Sequence, residues 1–391
     1  MITIETADNA LKTYYLDAVK EALDLKANPL LAQLQLTSSN VVGKDVKKLV
    51  RAGMNGGVGA GSETGNLPEA VDRNGYEFVA SLKNLYGTIE ISDKALRAAS
   101  SNEGAFVDIL NEEMQALIKS ASLNFGRMLF GDGSGCLGTV AMETEGSAVF
   151  QFDSLSNFIE GMHIELRTDS GALISGMEDC VVTSVDKEHN ALFLDRAPAA
   201  GVKIMPGAKA YVKGSMGYEI TGLKSLFSND AIYGVERNKS FMKPYILSEV
   251  GSLNENTMQK ALDKIEEISG ERTNFIVCSW GVRRAIMQLY NNRGISLPTV
   301  DLKGGVRALE WNGIPVVADR FCPKGTMYLL NTNDFKIHQL CDWKWLEGED
   351  GKILKQIPGK PVYTATLVKY AELVCENPCG QGMISGIMEN D

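Results

Sequence analysis

The chain has 391 residues, with 39 Lys and Arg against 49 Asp and Glu, for a formal charge of −10. This length predicts two to three domains at about 150 residues each and allows a large core without staples. The 44% hydrophobic and 23% charged content excludes wholesale disorder, the lack of an apolar run of about 18 residues excludes a transmembrane helix, and the acidic balance argues against a surface built to grip nucleic acid. The opening residues lack a basic segment followed by an apolar one, so no secretory signal is expected.

Residues 6–24 predict an amphipathic helix, with Leu11, Tyr15, Ala18 and Ala22 at helical spacing. Its polar face carries both signs, which suits packing better than a membrane surface. Pro29 closes this arm. Lys47–Gly53 then leads into a cluster of glycines, Gly56, Gly57, Gly59, Gly61 and Gly65, followed by Leu67-Pro68-Glu69 and a strand-like stretch at Tyr76–Leu82. Two extended arms with a glycine-rich tip predict a long hairpin, each arm reaching up to about 50 Å at about 3.3 Å per residue. A hairpin that long is not stable alone in water. The neighbouring sequence offers it little cover, so it is expected to lie on another copy of the chain. The candidate assembly residues are Gly56, Gly57, Gly59, Gly61, Glu63 and Leu67, with Lys83 near the base.

Thr88–Ser92 alternates as a strand, Asp93–Ala99 predicts a short helix, and Ser100 with Glu103 forms a capping box. The helix that follows is the strongest element. Phe106, Ile109, Leu110, Leu117, Ile118, Ala121, Phe125, Met128 and Leu129 hold one face, and the run stops at Gly131–Gly135. Its acids lie early and its bases late, as the helix dipole favours. That face is wider than a coiled-coil seam, so the helix should lie on a sheet.

Between 140 and 217 the texture changes to short apolar runs, Val149-Phe150, His163–Leu166, Val181–Val185, Leu192–Leu194 and Ala210–Val212, separated by turn clusters. Such spacing predicts a small inserted β-barrel. The remainder reads as α+β. Ser252 and Glu255 cap a helix over 254–269, Phe275–Cys278 is a strand, and a second helix covers 280–291. Val306–Trp311 and Ile314–Ala318 flank Asn312-Gly313, the preferred type I′ turn pair. Met327–Leu330, Phe335–Leu340, Ile353–Ile357 and Val362–Val374 are further strands, the last two expected to form a platform beside the long helix.

No reaction chemistry emerges. The seven cysteines have no disulfide-framework spacing. Cys375 and Cys379 lack the second ligand pair a zinc site needs, and the three histidines form no cluster. Gly133–Gly138 matches G-x-G-x-x-G but follows a helix and enters a β region, the reverse of a nucleotide-binding turn. Asp342, Glu347, Glu349 and Asp350 lack calcium-loop spacing. Trp343 and Trp345 share one strand face and read as core or interface. No catalytic residue, cofactor or metal is assigned, and an enzyme with a β-barrel substrate domain is the weakest reading.

Three stretches, Tyr86–Ala95, Asn124–Gly133 and Ile314–Asp319, with Gly217–Leu223 and Tyr233–Arg237, resemble the major capsid proteins of tailed bacteriophages with the Hong Kong 97-like fold. The resemblance covers most of the chain. It implies an N-arm (1–45), an extended loop (46–86), a peripheral domain with a spine helix (87–139), an inserted β domain (140–217), an axial domain (218–335) and return strands of the peripheral domain (336–391). It implies a shell of pentamers and hexamers around packaged double-stranded DNA in a virion assembled in the bacterial cytoplasm. The expected partners are many copies of the chain itself, a separate scaffolding protein, a portal and a decoration protein, with weak DNA contact on the inner face and no membrane. Some members join a loop Lys to a neighbour's Asn; Lys83 lies near the loop base, but no Asn or Glu matches that pattern. A loop beginning near residue 46 leaves no room for a fused scaffolding domain. An encapsulin-type nanocompartment, which shares the fold, is the alternative.

Overall fold

The computed structural model describes residues 11–23, 28–53, 57–69, 74–94, 103–292, 294, 298–302 and 307–389. The expected short helix at Asp93–Ala99 and the Ser100 cap lie largely outside this set, as do Gly56 and the side chains of Phe106 and Ile109.

The central feature is the strand Val362–Cys375, 14 residues rich in β-branched and aromatic side chains. It pairs antiparallel with Phe335–Trp345 on one side and with Lys83–Ser92 on the other, from Ala371 opposite Lys83 to Val362 opposite Ser92. Gln35–Thr37 runs parallel to Phe335–Trp345, and Lys355–Gln356 completes a sheet of five strands. The expected platform of Ile353–Ile357 with Val362–Val374 is therefore corrected. Lys355 and Gln356 pair with Thr364 and Tyr363 and the Ile357 N–H donates to the Val362 carbonyl at 2.9 Å, while Ile353 and Leu354 turn into the core instead.

The long helix spans Glu103–Met128 and lies on this sheet. Leu110, Met114, Leu117, Ala121, Phe125 and Met128 are buried at helical spacing. Met114 was missing from the expected face although it lies four residues from Leu110. The helix meets Lys83–Ser92 at Gly87, where an added Cβ would sit 2.8 Å from Leu117 Cδ1. The N-terminal segment starts with a π-turn at Leu11–Tyr15 and continues as Leu16–Glu21. The π-turn shifts the helical phase, so Leu11, Tyr15, Val19 and Leu23 are buried while the expected Ala18 is exposed and Ala22 half-buried.

Residues 136–212 hold a six-stranded antiparallel sheet, in the order 136–139, 209–212, 163–167, 180–186, 191–194, 149–151. A bridge from Val140 to Phe152 brings its first and last strands together. It has its own apolar core, including Leu137, Phe150, Phe158, Ile164 and Leu192.

A third core sits in a mixed seven-stranded sheet, ordered 245–247, 382–384, 327–330, 275–278, 314–318, 307–311, 299–301. The helices Glu255–Ser269 and Trp280–Asn292 pack on it through Met258, Ala261, Ile265, Val282 and Ile286. The first is capped by Asn254, which accepts from the Thr257 N–H at 2.8 Å, and not by the expected Ser252. Both residue types are good caps, and only the backbone decides which one turns first. Asn312 and Gly313 have φ of 50° and 81°, as a type I′ turn requires.

Candidate assembly surfaces

The hairpin is built from Asp45–Ala52 and Asn74–Ser81, paired antiparallel throughout. Eight residues per strand give a paired length of about 26 Å at about 3.3 Å per residue, shorter than the expected arm. Its base is not without cover. Val46 and Phe78 are buried, Phe78 packs 5.5 Å from the Tyr233 ring, and Tyr76 packs 4.9 Å from Phe241. Lys48 and Lys336 both pair with Glu376. The expectation that little of its own chain lies nearby is thus corrected at the base. Tyr233 and Phe241 are distant in sequence, and no local pattern places them there.

Tyr233 holds this junction. It sits at φ 54° in the tight turn between Ala231-Ile232 and Val235-Glu236, a conformation costly for a bulky residue. Three hydrogen bonds hold it: its carbonyl accepts from Val79 N–H at 3.0 Å, its hydroxyl donates to the Leu373 carbonyl at 3.2 Å, and the hydroxyl accepts from Cys375 N–H at 3.0 Å.

Beyond Gly53 the character reverses. Gly59, Gly61, Glu63 and Leu67 are exposed and Gly57 is half-buried. Val58 and Leu67 are 82% and 86% exposed. Within the described loop Gly59 meets Pro68, and Gly65 N–H donates to the Ser62 carbonyl at 3.1 Å. Lys83 does not join this tip. It lies in the five-stranded sheet opposite Ala371, and its Nζ donates to the Gly217 carbonyl at 3.3 Å.

Two features had no signal in the sequence. Arg127, near the end of the long helix, makes a two-pronged pair with Glu219, Nη1 to Oε2 at 2.8 Å and Nη2 to Oε1 at 2.6 Å. Both side chains are buried. The pair ties the helix to the chain leaving the six-stranded unit, and Gly222 presses against the Met128 and Leu129 carbonyls, where a Cβ would not fit. Beside it opens a cleft of about 820 Å³ between the six-stranded unit, the helix end and the segments 279–284 and 320–324. Six basic side chains line it, Arg127, Lys187, Lys224, Arg284, Arg320 and Lys324, against four acidic ones.

The remaining sequence features have packing roles. Gly133 and Gly135 take positive φ, and a Cβ on Gly135 would sit 2.9 Å from the Ser215 carbonyl oxygen. His338 is buried, its Nδ1 2.8 Å from the Ser39 carbonyl. Trp343 packs 4.8 Å from Phe125, and Trp345 Nε1 donates to the Leu11 carbonyl at 3.0 Å. Burial pushes the Glu372 carboxyl up to about 7, against hydrogen bonds from Thr221 and Leu373 N–H. Burial also raises Asp334 to about 7, with repulsion from Glu271, and Asp319 to about 6. Among the described residues no group of three or more metal-ligating side chains occurs, and no helix is long and apolar enough to cross a membrane.

No family model matches the sequence, and no curated protein does. Solved structures do. The chain resembles a chain of the cyanophage A-1(L) capsid asymmetric unit at a TM-score of 0.55 and 12% identity, covering 93% of each. The fold is a phage capsid fold. A chain from the capsid of an empty GTA particle shares the phage capsid fold at a TM-score of 0.51 and 11% identity, over 92% of this chain and 90% of that one. At these identities the likeness is one of fold.

Proposed function

We propose that the chain is a major capsid protein of the Hong Kong 97-like kind, assembling into pentamers and hexamers of a shell around packaged double-stranded DNA. The observation that carries this reading is a shared capsid fold along nearly the whole of both chains. The exposed hairpin tip supports it, because Val58 and Leu67 stand in solvent among the described residues. In this reading 1–45 is the N-arm, 46–86 the extended loop, 87–139 with 336–391 the peripheral domain, 140–217 an inserted barrel and 218–335 the axial domain. The Val140–Phe152 bridge supports the barrel. A contact between unlike faces, repeated around a ring, closes such capsomers. The chain has a structural rather than catalytic role, and its place is the virion. A separate scaffolding protein, a portal and a decoration protein are its partners.

Electron microscopy of the purified, expressed chain, alone and with a coexpressed scaffold, tests this. Shells of capsid geometry, sharpened in diameter by the scaffold, are the expected result. Small uniform shells enclosing protein cargo would favour an encapsulin, and a small soluble oligomer would overturn the shell reading.

A further inference from the structure

The hairpin tip and the basic cleft are complementary in charge and in polarity. From Ala52 to Asp72 the sequence has three acids, Glu63, Glu69 and Asp72, and no Lys or Arg. The described part of this tip projects Val58 and Leu67 into solvent beside Glu63 and Glu69. The cleft has the opposite make-up. In a chain of net charge −10, it concentrates an excess of basic side chains, with Lys187, Lys224, Arg284, Arg320 and Lys324 all exposed. Its acids are already engaged. Glu219 is held by Arg127, Asp132 by Lys224 at 3.2 Å, Asp153 by the N–H groups of Thr139 and Ser154, and Glu389 by the Gly325 N–H at 2.7 Å. The cleft also offers apolar surface: Trp280 is 51% exposed, and Phe321 and Pro323 line the wall.

We infer that the tip of one copy docks in this cleft of a neighbouring copy, Glu63 and Glu69 facing the Arg320–Lys324 wall and Leu67 covering Trp280. The inference rests on the self-assembly proposed above and names the surface that receives the loop. Complementary charge of this kind sets register and partner choice more than raw affinity. That is what a contact repeated around a closed ring requires. The cleft lies where the six-stranded unit, the long helix and the seven-stranded sheet meet, so docking there would also fix their mutual orientation.

Charge reversal in the full-length chain tests the inference. Glu63→Lys with Glu69→Lys reverses the tip, and Arg320→Glu with Lys324→Glu reverses the cleft; all four side chains are exposed, so folding should survive and is checked by circular dichroism. The measurement is the fraction of protein in shells or capsomers by sedimentation. Each reversal alone should lower that fraction at least tenfold, and coexpression of the tip-reversed with the cleft-reversed chain should restore alternating six-membered rings, whose contacts are all of opposite charge, but not five-membered ones, which cannot alternate. The chain carrying both reversals should recover most of the wild-type fraction. Wild-type assembly by either single reversal overturns the docking and leaves the shell reading standing. Loss with the cleft reversal alone, unrepaired by the tip reversal, also overturns it and gives the cleft to another acidic partner. Failure of the wild-type chain to form shells removes the reading on which the inference rests.

Discussion

The Val79 N–H donates to the Tyr233 carbonyl at 3.0 Å, and this bond couples the hairpin to the central strand of the molecule. The Tyr233 hydroxyl is bonded to both Leu373 and Cys375 on that strand, so one side chain fixes where the hairpin leaves the body. Tyr233→Phe removes the hydroxyl and leaves a buried N–H and a carbonyl without it. The subunit should lose about 1–3 kcal/mol, read by urea unfolding, and protease cleavage near the hairpin base should speed up. Unchanged stability and cleavage would show that the junction is held by packing alone.

The approach of Gly87 to Leu117 gives a test by double-mutant cycle. Leu117→Ala should cost roughly 2–5 kcal/mol through the cavity it leaves. Gly87→Ala should cost about 1–3 kcal/mol, because its Cβ overlaps Leu117 Cδ1. The double variant should cost clearly less than the two singles added, since truncating Leu117 makes room for the new methyl. Additive values in denaturant unfolding of an unassembled subunit would place the helix farther from the strand.

Glu372 sets a pH dependence with a definite sign. Its folded value, about 7, lies above the ordinary 4.5, so between these values the native state keeps a proton that the unfolded chain has lost. Its contribution is therefore fully present below about 4.5 and is lost as pH rises through about 7. Asp319 and Asp334 act in the same direction. Compared with wild type at each pH, Glu372→Gln should gain stability from pH 5 to pH 8, by up to about 3 kcal/mol. A difference that stays flat with pH would mean that the carboxylate is ionised in the fold.

Deleting Met54–Glu69 removes the tip and spares the paired strands Asp45–Ala52 and Asn74–Ser81. The subunit should stay folded, with an unchanged circular dichroism spectrum, and should fail to close shells. Normal shells from this deletion would end the assembly role of the tip.

Residues 136–217 expressed alone should give a β-type spectrum and a cooperative melt, because that stretch holds all six strands of the sheet and an apolar core of its own. A disordered spectrum would mean that the unit depends on the rest of the chain for its fold.

The sequence by itself determined the elements whose signal is local. The periodicity of Leu110 to Met128 predicts the long helix, Asn312-Gly313 the type I′ turn, and the regular turn clusters the strands between 140 and 217. The glycine-rich tip of the hairpin was equally legible, because backbone freedom and the lack of apolar alternation are properties of adjacent residues. Only the tertiary structure decided what covers what. The seat of Phe78 on Tyr233, the pairing of Arg127 with Glu219, the strand Lys83–Ser92 lying against Val362–Cys375, and the basic cleft all join residues from about 90 to nearly 300 positions apart. Such contacts leave no periodicity in the chain. Their stability comes from burying groups that meet only once the sheets and the long helix have packed, and single residues such as Gly87 and Gly222 then take the identity that the remaining space allows.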